Sequence, residues 1–481
     1  MKPVYLFVAL FLMACSPAIS QSRPVSQKPR VLVLSDIEAD PDDSQSLVRL
    51  LTYANELDIE GLVATTSIHQ QKRIAPETMQ SIVDAYGKVQ PNLLKHEPGY
   101  PTAASLKALI KKGLPIYGMA GVGEGHDSEG SEWIIRALDK SDSRPLWLPI
   151  WGGPNTLAQA LWKIQKTRSP QQAQQLYRKL RVYTISDQDD SGPWIRKTFP
   201  DVFFIVSPGY GYQHATWRGI NTTDPGTSPE FISNDWLAEH IQQGHGPMGA
   251  LYPDVAYGME GDTPTFLGLI PNGLNEPEHP DWGGWGGRYT LRQPKELPVS
   301  QFKPAGTPAE EPETRPIWTN AADSLIATRS PFAPAPTNEV KTKKSDQTTI
   351  WRWRQEFQND FAARMDWCTK SYGEANHPPV PRLSHPESLT VKSGEQFSLS
   401  AAGTTDPDGD SMSYRWLHYQ EAGTYPGYVS FAPFSSNLYE IPSVKAPTVT
   451  SPQTIHFILK VTDKGSPALT RYKRVIVHVI P

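Results

Sequence analysis

Five carboxylates fall within eight residues in the run Asp36-Ile37-Glu38-Ala39-Asp40-Pro41-Asp42-Asp43. Like charges at that density repel one another unless a cation or bound protons neutralise them. The donors are all hard oxygens, with no Cys or His among them, so the chemistry on offer is Ca²⁺ or Mg²⁺ coordination rather than zinc. The competing reading is a solvated loop in which an Asp caps the next helix. Further on stand Asp187, Asp189 and Asp190, then His245 in the Gly-rich stretch Gln243–Pro247, then Trp282 and Trp285 in Asp281–Arg288. Carboxylates hydrogen-bond sugar hydroxyls and Trp faces stack on sugar C–H faces, so this set suits a carbohydrate ring. The Trp pair equally suits packing under a long loop, and His245 equally suits capping a loop carbonyl.

These residues need elements to position them. Arg30–Ser35 is a short β-branched and Leu run, and Ser44–Glu56 has helical apolar spacing at Leu47, Leu50, Leu51 and Ala54. The acidic cluster therefore lies between a strand and a helix. Further strands are predicted at Asp58–Thr65, Pro145–Ile150, Arg181–Ser186 and Val202–Ser207, with a helix at Leu106–Ile110. Strands alternating with helices predict an α/β domain with a mostly parallel sheet flanked by helices, whose ligands sit beyond the carboxyl ends of the strands. Gly258–Gln301 is rich in Gly, Trp and Pro without a period and reads as a long structured loop region, and Pro304–Pro336 as ordinary surface chain. Trp353, Phe357, Phe361 and Met365 fall at i+4 spacing and form one helix stripe that packs on the first domain. After Pro381 short alternating runs (Ser388–Val391, Phe397–Ala401, Tyr414–His418, His456–Val461, Arg474–Val479) separated by turn signals predict an all-β Ig-like sandwich.

The 481 residues suggest two to four folding units at roughly 100–200 residues each. The pattern above narrows this to a domain over 28–375 and a second over 380–481. With 46 Lys+Arg against 50 Asp+Glu, a net charge of −4 and no basic block, the chain is not built to neutralise nucleic-acid phosphate. Its 46 Pro, 35 Gly and 14 Trp imply many fixed loops, while 38 % hydrophobic content is too apolar for general disorder. Pro3–Ala14 after Lys2 is long enough for a signal h-region and short of the ~20 residues a spanning helix needs. Residues 1–20 are thus expected to be a signal peptide, and the protein to be exported: periplasmic, extracellular or surface-anchored. Leu12-Met13-Ala14-Cys15 resembles a lipobox that would attach an outer-membrane lipid anchor through Cys15, and Ala18-Ile19-Ser20 is a cleavage site for a soluble form. Cys15 and Cys368 are the only cysteines, so with the leader removed no internal disulfide is possible and Cys368 reads as a buried structural thiol.

Strand-Asp36-x-Glu38-x-x-x-Asp42-Asp43-helix resembles the N-terminal signature of nucleoside hydrolases, Asp-x-Asp-Pro-Gly-x-Asp-Asp. Gly61–Thr66, Gly123–Ser131 with His126, Trp151–Ala158 and Glu260-Gly261-Asp262-Thr263-Pro264 follow in family order. Asp40–Asp43 with Ser46–Arg49, Ser186–Gly192, Gln243–Pro247 and Asp281–Arg288 further resemble a bacterial group, cellulose-binding proteins with a nucleoside-hydrolase-like domain. The resemblance covers about residues 30–375 and the Ig-like domain. It implies a Ca²⁺ held by Asp36, Asp42, Asp43 and Asp262 with the Trp151 carbonyl, and a carboxylate that activates a water to attack an anomeric carbon. It also brings Asn155 and Glu260 into the substrate-binding set with Asp187, Asp189, Asp190, Trp282 and Trp285. With Asp42-Asp43 in register, the catalytic-base position falls on Glu38, and Asp40 competes for the role; His245 is the third catalytic candidate. A Glu at that position moves its carboxylate by roughly 1 Å, enough to cost ~10²-fold in rate. The family's nucleobase-recognition segment is not recognisable, which argues against nucleosides.

Thr405-Asp406-Pro407-Asp408-Gly409-Asp410 resembles the turn of cadherin-like and Ig-like modules. Its alternating carboxylates can ligate Ca²⁺, but without EF-hand register a plain turn is the favoured reading. The expectation for the whole is an exported Ca²⁺-dependent hydrolase of a glycosidic or N-glycosidic bond in a plant or microbial glycan. The alternative is a non-catalytic cellulose- or glycan-binding protein on the same scaffold.

Overall fold

Val31-Leu32-Val33-Leu34 is buried on both faces, as the central strand of a parallel sheet must be. The computed structural model describes residues 28–208, 212, 215–295, 313–325, 343–431 and 439–481. The leader with Cys15 and most of Pro304–Pro336 lie outside the described residues.

An eight-stranded sheet is built from β1 (Arg30–Ser35), β2 (Asp58–Ala64), β3 (Ile110–Lys112), β4 (Leu146–Ile150), β5 (Leu180–Thr184), β6 (Phe203–Val206), β7 (Tyr289–Arg292) and β8 (Ile317–Asn320). Its order is β3-β2-β1-β4-β5-β6-β8-β7, parallel except for β7 against β8. The chain runs outward from β1 through β2 and β3, then returns to β4 and runs the other way. The β1/β4 junction is therefore the switch point where such sheets bind ligands, and the acidic cluster leaves β1 there.

Alternate residues of β1 feed the two layers. Val31 and Val33 join one buried cluster with Leu47, Leu50 and Leu51 of α1 (Asp42–Thr52) and Met79, Val83 and Tyr86 of α2 (Pro76–His96). Leu32 and Leu34 join the other, with Ile134 and Leu138 of the Glu129–Asp139 helix and Leu157 and Leu161 of the Asn155–Thr167 helix. Two readings are corrected. The helix near Leu106 spans Ala103–Ala108, and Ile110 already belongs to edge strand β3. The Gly258–Gln301 region contains β7, which closes the sheet antiparallel.

The aromatic stripe lies on the Arg354–Asp366 helix and the residue before it, with Trp353, Phe357, Phe361 and Met365 at 3 % exposure or less. The C-terminal sandwich packs a four-stranded sheet (Ser388–Lys392, Thr470–Ile480, Gln453–Asp463, Met412–His418) on a pair formed by Gln396–Ser400 and Glu440–Lys445. Glu440–Lys445 was not anticipated. The two domains share apolar interior: Tyr419, Ala422, Ile458 and Tyr472 belong to the same buried cluster as Val31 and Leu47. Polar bonds seal the seam. Tyr419 donates to Asp323 Oδ2 (2.6 Å), Arg474 Nη2 to the carbonyls of Leu274 (2.7 Å) and Gly283 (2.8 Å), and Arg471 to Asp360. Gly283 sits at φ +72°, and a side chain there would collide with the Tyr419 hydroxyl. Among the described residues no helix is long and apolar enough to cross a membrane.

Candidate functional site

The site is assembled from the carboxyl end of β1, the first turn of α1 and the loop that carries Asp262. Ser35 Oγ donates to Asp43 Oδ1 (2.5 Å) and accepts the Ile37 N–H (3.1 Å), pinning the strand end to the helix start. Gln70 Nε2 donates to the carbonyls of Asp36 and Ile37 (3.1 Å each) and fixes the turn from outside. Asp42 Oδ2 accepts the Gly261 N–H (3.1 Å), and Asp40 Oδ1 accepts the Asp42 N–H (3.1 Å). Asp40, Asp42 and Asp43 each bring a carboxylate oxygen within 4.8 Å of the others. A Cβ at Gly152 would lie 2.7 Å from Asp36 Oδ1, so the turn after β4 presses directly on that carboxylate and needs a glycine.

Burial, reinforced by the charges of its neighbours, pushes the Asp42, Asp43 and Asp262 carboxyls well above the ordinary carboxylate range. Burial pushes Asp36 up to about 6. Asp262 is 1 % exposed and its Oδ2 has no hydrogen-bond partner. An all-oxygen donor set, a bare buried carboxylate oxygen and carboxyls that repel one another's ionised forms together fit a hard divalent cation. The Trp151 carbonyl adjoins the site and accepts Gln188 Nε2 (2.6 Å).

Two of the three non-glycine residues with positive φ among the described residues flank this floor, Glu38 at +77° and Glu260 at +49°. Such strain persists only where surrounding structure imposes it. At Glu38 its effect is to turn the side chain away from the carboxylate floor. Glu38 Oε2 meets Arg73 Nη1 at 2.5 Å and Oε1 accepts the Thr78 hydroxyl, a hydrogen bond that, with Arg73, holds its carboxyl below the usual range. The base position expected at Glu38 thus falls on a residue whose two oxygens both meet neighbours outside the cluster.

Several other candidates are held by partners within the protein. Glu260 is fully buried, ion-paired with Arg49 at 2.5 Å, and accepts the Tyr252 hydroxyl (2.6 Å). Asp187 is held by both terminal nitrogens of Arg196 (2.8 Å each). Asn155 donates to the Ile116 carbonyl (2.7 Å) and Thr66 Oγ1 (3.0 Å) and accepts Thr65 Oγ1 (2.8 Å). Asp190 Oδ1 accepts the Met119 N–H (2.8 Å). His245 Nε2 pairs with Asp366 (3.0 Å), and its Nδ1 is buried without a hydrogen-bond partner. Trp285 is fully buried with its indole N–H toward the Tyr472 hydroxyl (3.3 Å), and Trp282 stacks on His279 (ring centroids 3.9 Å apart) beneath Arg474. Both pack at the domain seam. Asp189 does stay near the site: its Oδ1 accepts the N–H (2.8 Å) and hydroxyl (2.5 Å) of Ser191, while Oδ2, buried and bare, faces the Gly152-Gly153 turn. Burial pushes it up to about 7.

The rim was not foreseen. His69 Nε2 lies 3.3 Å from the Tyr212 hydroxyl, whose ring meets Trp217 edge to face at 5.5 Å. Burial and the charges of Asp36, Asp40, Asp42 and Asp262 raise the Tyr212 phenol above its ordinary range. Burial lowers His69, which also faces Asp40. Trp217 donates to Ser186 Oγ (3.0 Å) and packs on Gly261. The signal for His69 was its position just past the carboxyl end of β2.

A family model described as cellulose-binding Sde182, nucleoside hydrolase-like domain, matches residues 30–289, which is 260 of 481. The chain belongs to this family. Residues 396–479 match the family's C-terminal domain, described as that of cellulose-binding protein Sde0182. Among solved structures, a nucleoside hydrolase-related hypothetical protein from Saccharophagus degradans, described as associated with carbohydrate metabolism, is 38 % identical. It aligns with a TM-score of 0.75 over 94 % of this chain and 100 % of its own. The effector protein XOO4466 is 9 % identical over 61 % of this chain and 88 % of its own, at a TM-score of 0.32. No curated protein matches the chain. This chain thus joins a nucleoside-hydrolase-like α/β domain to an all-β domain, and cellulose is the carbohydrate that the family's description names.

Proposed function

We propose that this Sde182-family protein is an exported, Ca²⁺-dependent hydrolase of a glycosidic or N-glycosidic bond in a carbohydrate. The observation that carries the proposal is the convergence of Asp36, Asp40, Asp42, Asp43 and Asp262 at the β1/β4 switch point, with Asp262 Oδ2 buried and bare. Asp36, Asp42, Asp43 and Asp262 are the residues that would hold the cation. When bound, a divalent cation there acidifies and orients water and gives sugar hydroxyls an anchor. Asp40 is only partly buried and is the carboxylate left to accept the proton of the attacking water, since Glu38 is engaged with Arg73 and Thr78. Tyr212 and Trp217 supply an aromatic wall against which a sugar ring can lie.

The commitment of Glu38 favours a second reading, a cation-assisted glycan binder without turnover. Full-length protein assayed with Ca²⁺ and with chelator against oligosaccharide and nucleoside panels separates them. Chelator-sensitive sugar release, reduced ~10²–10⁴-fold in Asp40→Asn, supports hydrolysis. Retention of glycan with no release from any substrate leaves the binder.

A further inference from the structure

Among the described residues, two of the most exposed large hydrophobic side chains stand on one lip of the C-terminal sandwich: Tyr428 is 65 % exposed and Tyr439 is 49 % exposed. The strand Met412–His418 lies at the edge of its four-stranded sheet, and Tyr414, Trp416 and His418 alternate along one of its faces. Tyr439 meets Tyr414 edge to face at one end of that row (ring centroids 6.2 Å apart), and Tyr428 lies against His418 at the other (5.4 Å). Four residues of strand separate the two ends, a span of ~13 Å. Arg415 and Leu417 alternate onto the opposite face, Leu417 against the interior shared with the α/β domain.

The row itself carries donors that lack acceptors. Trp416 is 4 % exposed, and its indole N–H is buried without a partner. His418 is 8 % exposed and its Nδ1 accepts the Val429 N–H (3.2 Å), so the ring proton sits on Nε2, which is also buried without a partner. Burial pushes this imidazole down to about 4, which keeps it neutral. Tyr414, Trp416, His418, Tyr428 and Tyr439 thus bring no carboxylate, ammonium or guanidinium to the lip. An ionic partner finds no counter-charge there, and a purely apolar one leaves both N–H groups unsatisfied. A neutral sugar chain supplies both halves: C–H faces for the aromatic rings, and hydroxyl and ring oxygens that accept N–H.

We propose that this lip is a second carbohydrate site, which takes a neutral glycan chain across the ~13 Å between its two exposed rings. Tyr428 and Tyr439 stack on sugar faces at the two ends, and Trp416 Nε1 and His418 Nε2 donate to oxygens of the chain where it settles between them. The occupant is a chain rather than a single sugar, because one ring of a sugar covers one of the two tyrosines and not both. The inference rests on the carbohydrate partner proposed above, and on neither turnover nor a cation, since the acidic floor lies in the other domain.

The test is calorimetric titration of the full chain with cellohexaose and with cellobiose in excess EDTA, for wild type, Tyr428→Phe, Tyr428→Ala, Tyr439→Ala and the double alanine variant. Wild type is expected to bind the hexaose more tightly than the dimer without any cation. Each single alanine variant weakens hexaose binding ~10-fold, and Tyr428→Phe, which keeps the ring, does not. The double variant binds the hexaose no better than the dimer. Both tyrosines are exposed, so unchanged melting temperatures separate a lost contact from a lost fold. Equal hexaose binding by wild type and the double variant overturns the proposal. So does hexaose binding that EDTA abolishes, which would assign the glycan to the acidic floor and leave the earlier reading standing. Absence of sugar release from every substrate would sink the hydrolase and leave these affinities as expected.

Discussion

Asp36→Asn should make the chelated protein more stable, a counter-intuitive effect for a residue placed in the binding machinery. Asp36 is 3 % exposed, and its carboxyl rises from 3.8 to about 6, chiefly through burial. A group whose folded value exceeds its unfolded value contributes stability that is fully present below pH 3.8 and lost as pH rises through 6. At ~1.4 kcal/mol per tenfold change in proton affinity, the loss is about 3 kcal/mol by neutral pH. Asparagine has nothing to ionise. In excess EDTA the variant should therefore exceed wild type by about 3 kcal/mol near pH 7.5, with the gap closing toward pH 4. Asp43 and Asp262, which Asp36 repels, shift in the same direction. Urea unfolding followed by tryptophan fluorescence measures the difference, and saturating Ca²⁺ should reverse the order because the variant has lost a ligand. A variant less stable than wild type in EDTA at neutral pH, or a gap independent of pH, refutes the electrostatic account of this floor.

Four further outcomes follow from the same geometry. Asp360→Ala leaves the buried guanidiniums of Arg364 and Arg471 and the Tyr53 hydroxyl without their shared acceptor, so it should cost about 3–5 kcal/mol in denaturant unfolding. Glu38→Gln should change stability by under about 1 kcal/mol, because its Arg73 partner is 58 % exposed, and should cost far less activity than Asp40→Asn in the same sugar-release assay. Glu260→Ala strands Arg49 in the core and should destabilise by about 3–5 kcal/mol, with Glu260→Gln milder, read from melting curves. Trp282→Ala should leave glycan turnover unchanged while increasing protease cleavage near the seam, since its ring meets His279, His456 and Arg474 and no residue of the acidic floor.

The strand-loop-helix frame of the site was legible because β1 and α1 carry different apolar periods on either side of the carboxylates. The acidic floor itself was legible because carboxylates at that density have no cheap structural explanation. Partner choice was not legible. Asp187 and Glu260 read as sugar ligands until Arg196 and Arg49, 9 and 211 residues away, are seen to neutralise them. Trp282 and Trp285 look like a platform in a Gly-rich loop, but the covering surface comes from Tyr472 and His456, which no local pattern announces. Strand β3 was hidden by its length of three residues directly after a helix, and Glu440–Lys445 by three polar residues and a proline in a run of six.

The shared interior around Tyr419, Ile458 and Tyr472 has a consequence for how a polymer would be handled. A module on a slack tether searches a volume, and raises local substrate concentration without fixing which bond is presented. Here the all-β domain is welded to the sheet domain by common apolar packing and by Arg471, Arg474 and Lys460 reaching across to Asp360, Leu274 and Glu356. Every point on the surface of the C-terminal domain is thereby held at a set offset from Asp36 and Asp262. Under the function proposed above, a glycan lying on that surface would present its linkages to the acidic floor at a fixed spacing.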